Sequence, residues 1–140
     1  MNKAKINKLL PKAVDIIRTS DISFKDGKNV PKAFRSQISS FGAAISTGSI
    51  LAASAFFQQQ GNSDVDRKLL MDAINTLLTD KAIYPNAQKY DTLFDRVKAE
   101  ILAGHERKIK EEVLNCAVAL KLAMNLFHLT EKKTDTSKEE

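Results

Sequence analysis

The chain reads as an all-α protein, a bundle of about five to seven helices, and three observations predict this. Apolar residues recur at three- and four-residue spacing in segment after segment, which is one face of a helix. No alternating pattern of apolar and polar residues runs longer than four, so no half-buried strand is expected. The five glycines and three prolines mostly fall between the periodic segments rather than within them, with Pro11 and Gly42 the exceptions. Apolar residues make up 43% of the 140 and charged residues 28%, ordinary values for a globular chain long enough to form one core.

The elements follow in order. Ile6, Leu9, Leu10, Ala13, Val14 and Ile17 form the first helical face; Pro11 within it either marks the first turn or kinks a longer helix. Residues 20–30 are a polar connection with a turn signal at Asp26-Gly27. Pro31 suits the first position of a helix whose face is Phe34, Ile38, Phe41 and Ile45. Gly48 interrupts, and Ile50, Ala53 and Phe57 continue as a further stripe. Ser63 with Asp66 resembles a capping box ahead of a helix burying Val65, Leu69, Ala73, Ile74, Leu77 and Leu78. After a loop over 80–88 containing Pro85, the stripe Tyr90, Leu93, Phe94, Val97, Ile101 and Leu102 runs to Gly104. The last helix is expected from about His105 to Leu129. From Val113 on it is apolar on most sides, which belongs at the centre of a bundle or in an interface. Residues 1–130 are thus expected to form a single helical domain and 131–140 a disordered charged tail.

Residues with catalytic or ligating chemistry are few. Two histidines and one cysteine make a structural zinc site implausible, and His105-Glu106 does not extend to a zinc-binding HExxH pattern because Ile109 stands where the second histidine belongs. Gly42 to Ser49 superficially resembles a phosphate loop. It has one residue too many between its glycines and no lysine, so close helix packing through small side chains is the expectation there. Cys116, on the most apolar helix, reads as a buried inert thiol; alone, it forms no internal disulfide, which favours a reducing compartment. Glu111 and Glu112 diverge by roughly 100° on a helix, the wrong geometry for shared acid–base work. His128 is placed on the polar strip of the last helix. No catalytic residue, metal or cofactor is expected. The N-terminus lacks the continuous apolar stretch of a signal peptide, and the run Val113–Leu129 is too short to span a bilayer, so a cytoplasmic protein without a membrane partner is expected.

Charge is the most informative feature. The first 35 residues carry nine Lys and Arg against three Asp, a balance of +6, whereas the other 105 balance at −1. A localised basic surface is the electrostatic footprint of a polyanion partner. Lys25, Lys28, Lys32 and Arg35 are the candidates for it, with Lys32 and Arg35 on one face at a helix start, where free N–H groups also favour an anion. Phe56 and Phe57 are adjacent, so one ring points away from the core stripe; with the last helix they are candidates for a protein interface.

The stretch Val30–Gln58 resembles the small helical subunit of the type III-B CRISPR effector (Cmr) complex. The likeness lies in the Pro31-Lys32 start, the basic Arg35, the run Ser39-Ser40-Phe41-Gly42-Ala43, the break at Gly48-Ser49, the pair Ile50-Leu51 and the ending Ala55-Phe56-Phe57. Asp66-Arg67-Lys68-Leu69-Leu70 and the run Ala119 to Phe127 are also similar. One departure is Ser49, where many relatives carry Leu after the central Gly. The resemblance implies a non-catalytic helical protein of antiviral defence. Several copies stack head to tail and line the groove where guide RNA pairs with target RNA, and other subunits perform cleavage. It implies no small-molecule substrate. The small subunit of the type III-A complex is a similar alternative. A helix-turn-helix DNA-binding regulator is a further one; the long 20–30 connection and the acidic Asp64 and Asp66 speak against it.

Overall fold

The computed structural model describes residues 2–59 and 65–131. Among them are six helices, α1 (Lys3–Thr19), α2 (Lys32–Thr47), α3 (Ile50–Gln58), α4 (Lys68–Leu77), α5 (Leu93–Leu102) and α6 (Glu106–Met124), as the periodicity predicts. Two short strands, β1 (Asn29–Pro31) and β2 (His128–Thr130), pair in parallel.

Helix α6 is the axis. It packs against α1, α2, α4 and α5, and it buries Ile109, Val113, Cys116, Ala117, Leu120, Ala123 and Met124 among others, so side chains on most of its circumference face neighbours. α1 presents Ile6, Leu9, Ala13 and Ile17 to it. Pro11 lies inside α1, on an exposed stretch of its surface, where losing one backbone donor leaves the carbonyl acceptor near water. α2 buries Phe34, Ile38, Phe41 and Ile45 and runs antiparallel to α6: Arg35 near its start bonds Asn125, while Ser46 near its end lies across from Leu114.

The helix ends follow local chemistry. Asn2, Ser49 and Thr92 each accept a backbone N–H three residues on, capping α1, α3 and α5. α4 starts at Lys68, and Ser63 of the expected capping box lies outside the described residues; the N-cap is Arg67, which offers no side-chain cap bond, and Asp66 just before it accepts the Lys68 N–H at 3.1 Å. Leu69 is consequently only partly buried, and Leu70 and Met71 take the inward positions. α5 ends in a left-handed Gly104 (φ 86°), with Gly104 N–H bonded to Ile101 O and His105 N–H to Glu100 O, the two bonds of a Schellman motif.

Two expectations are corrected. The last helix ends at Met124 rather than Leu129, because His128–Thr130 leave it to pair with Asn29–Pro31. His128 is therefore an edge residue of β2, its Nδ1 2.8 Å from Asn29 Oδ1. Pro31 is the last residue of β1 and the N-cap of α2, not its first helical residue. Glu131 of the expected tail is described and reaches back to Lys32; residues 132–140 lie outside the described residues.

Candidate nucleic-acid interface

The end of α1, the connection 20–31, the start of α2 and the end of α6 meet at one end of the bundle, and the parallel β1–β2 pair ties them together. The connection is a closed turn. Phe24 N–H bonds Asn29 O at 2.8 Å, and Gly27 N–H bonds Phe24 O. Gly27 takes φ +68°, and a Cβ there would lie 3.3 Å from Arg18 Cγ, so glycine serves both the turn and the passage of the arginine stem. Asp26 receives the N–H groups of Lys28 and Asn29 and the Asn29 side-chain amide. These bonds, the Lys28 backbone first, hold its carboxyl below the usual carboxylate range.

All four predicted basic residues sit at this end. Lys25 and Lys28 project from the turn and are exposed. Lys32 opens α2, its Nζ 3.1 Å from Glu131 in a pair exposed on both sides. Arg35 lies one turn on, its Nε donating to Asn125 Oδ1 at 3.0 Å. No side chain caps the α2 N-terminus. Arg18 belongs to the same surface. Its guanidinium lies 5.7 Å from the Phe127 ring centre, a proximity between residues 109 positions apart that helical spacing does not signal. The basic cluster is therefore one surface built from three separate segments, held largely by neutral partners. An exposed pair such as Lys32–Glu131 contributes only about 0–1 kcal/mol, so a phosphate competes with it readily.

The aromatic pair divides. Phe57 is 5% exposed and packs edge-to-face on Phe41 with ring centres 5.1 Å apart, so it is a core residue and leaves the expected interface. Phe56, about 100° further round the helix, is 58% exposed. The Arg67 guanidinium lies 4.3 Å from the Phe56 ring centre and 5.0 Å from that of Phe57, and donates to Phe56 O and Gln59 O. Spacing alone leaves open which ring faces inward; the stripe Ile50, Ala53, Phe57 indicates it.

Elsewhere, a cleft between the 83–90 loop, α5 and α6 gathers Lys5, Tyr84, Arg96, Glu100 and Glu112. Its charges are mostly engaged within the chain: His105 Nδ1 is 2.8 Å from Glu100, and Arg96 bonds Asn75 and Gln88. Burial pushes the Glu112 carboxyl up. No group of three metal-ligating side chains occurs among the described residues. Cys116 is fully buried, and desolvation pushes its thiol up to about 12. It should resist a water-soluble thiol reagent at pH 8 in native protein and react fully in denaturant; fast native labelling would place it at the surface.

No described helix is long and apolar enough to cross a membrane. Among the described residues, short turns join only two helix pairs. α3, which follows α2 after Gly48-Ser49, carries no charged residue. α6, which follows α5 after a three-residue turn, packs against four other helices from Ile109 on, although its first turn is exposed. No protein-family model, curated protein or solved structure matches the chain.

Proposed function

We propose that this chain is a non-catalytic, RNA-facing structural subunit of a ribonucleoprotein, of the type III CRISPR effector class that Val30–Gln58 resembles. In this reading it works in the cytoplasm, beside further subunits and copies of itself, and contacts guide and target RNA through their backbones. The observation that carries the reading is the gathering of Arg18, Lys25, Lys28, Lys32 and Arg35 at one end of the bundle, in the segment that holds all the excess positive charge.

The chemistry of these residues suits phosphate. Arg35 uses Nε on Asn125 and keeps its two Nη groups for a bidentate anion contact. Lys32 supplies a mobile point charge beside the uncapped α2 N-terminus, where backbone N–H groups also favour an anion. Such contacts are sequence-independent and salt-sensitive, which fits an assembly where base pairing carries specificity.

The test is the Lys32→Ala/Arg35→Ala double variant. RNA binding should weaken to a similar extent for unrelated sequences. The slope of log K against log salt should flatten by up to about 1.4 if each side chain meets one phosphate. Circular dichroism checks that the variant is folded. Unchanged affinity and slope would remove this end of the bundle as the RNA path.

A further inference from the structure

Small side chains on α2 are expected to let helices approach closely; α2 does pack on α6, yet at Gly42 no neighbour fills the space the small residue leaves. A Cβ built on Gly42 meets no atom within 4 Å. Ser39, Gly42, Ala43 and Ser46 instead form one wall of an open trench along α6. Leu114, Ala117 and Val118 are its floor, and Leu114 and Val118 are only partly covered. Two hollows of about 230 and 410 Å³ share Ser46, Leu114 and Val118, so the trench is continuous. Its ends are basic. Arg107 and Lys110 stand at one, Lys121 at the other, and none of the three makes an ion pair among the described residues. Glu111 is the single acid lining it.

We propose that this trench seats an acidic amphipathic helix of a partner protein. The proposal goes beyond RNA binding and does not rest on it. A valley between two antiparallel helices accepts the ridge of a third, and the small α2 wall gives depth for Leu- or Phe-sized side chains at i, i+3, i+4 and i+7. From Arg107 to Lys121 the α6 edge spans roughly 21 Å, the length of a helix of about 14 residues. Three unpaired cations around an apolar floor select acidic flanks on that helix. No aromatic side chain lines the trench, so it offers single-stranded nucleic acid no stacking platform, and its apolar floor is wasted on phosphate.

The probe is a labelled synthetic helix of about 14 residues with leucines on one face and glutamates flanking them, sized by the helical rise. Its twin carries lysine at every glutamate. Fluorescence anisotropy with the full-length protein should show the acidic peptide binding about tenfold or more tightly than the twin, with the gap closing in salt. Gly42→Leu fills the trench where open space receives it. It should abolish peptide binding while raising Tm by about 2–4 °C, because leucine is the better helix former. Arg107→Ala/Lys110→Ala should weaken the acidic peptide severalfold without weakening the lysine twin, which keeps the test sound should Gly42→Leu fold poorly. Lys32→Ala/Arg35→Ala should leave peptide binding unchanged, so failure of the RNA reading and failure of this one are separable. Equal binding of the twins, no binding of either, undiminished binding by both trench variants, or loss of RNA binding in Gly42→Leu would each overturn the proposal.

Discussion

Phe41→Ala should lower the free energy of unfolding by about 3–5 kcal/mol, a large part of the total stability of a domain of this size. Phe41 is completely buried on the inner face of α2. Its ring meets Phe57 of α3 edge-to-face at 63°, and Phe57 in turn meets Phe56 and lies under Arg67. Removing the ring leaves a cavity where α2 and α3 join, and the two-residue link Gly48-Ser49 gives those helices little freedom to collapse into it. Phe41→Leu keeps most of the volume and should cost about 1–1.5 kcal/mol. Phe56→Ala removes an exposed ring and should cost about 0.5–1 kcal/mol, the scale of its stacking on the Arg67 guanidinium. Urea unfolding gives all three, with the slope m unchanged if only the native state is affected. A Phe41→Ala loss no larger than that of Phe56→Ala would mean that the aromatic contact is not the α2–α3 anchor.

The helices were legible because each has one clear stripe. Ile6, Leu9, Ala13 and Ile17 on α1 and Phe34, Ile38, Phe41 and Ile45 on α2 are buried where their spacing places them. The strands were not legible, since three residues are too few to show alternation and β1 pairs with a partner 99 positions away. That pairing is what ends α6 early, so His128 was misplaced for the same reason. The basic cluster could be read as composition. Its assembly could not, because Asn125, Phe127 and Glu131, which hold Arg35, Arg18 and Lys32, arrive from the far end of the chain. At Gly42 the sequence shows a small residue but not whether a neighbour fills the space it leaves; here none does. The burial of Arg67 and Arg96 has no sequence signal, because a cation within an apolar pattern reads as a surface residue, whereas both are buried.

Arg96 leads to the other large expected effect. It is 4% exposed and lies on α5 facing Asn75 of α4 and the 83–90 loop. Desolvation lowers its pKa, yet a guanidinium stays charged at neutral pH. No carboxylate pairs with it among the described residues. Its charge is held by neutral groups: Nε donates to Asn75 Oδ1 at 2.8 Å, an Nη to Gln88 O at 2.9 Å, and the ring of Tyr90 lies 4.9 Å away. Asn75 completes the frame by donating to Tyr90 O at 2.9 Å. Arg96→Met keeps the length of the side chain but strands the Asn75 and Gln88 oxygens. It should cost about 2–4 kcal/mol and speed hydrogen exchange across residues 79–92. Asn75→Leu strands the guanidinium instead and should cost about 3–5 kcal/mol, since a buried charge loses its main acceptor. Removing both partners leaves neither orphan on that bond, so the double variant should be less damaging than the two single losses added, by about 1–3 kcal/mol. Urea unfolding of the four proteins measures that coupling, and a value near zero would show that the loop, not Asn75, holds the guanidinium in place.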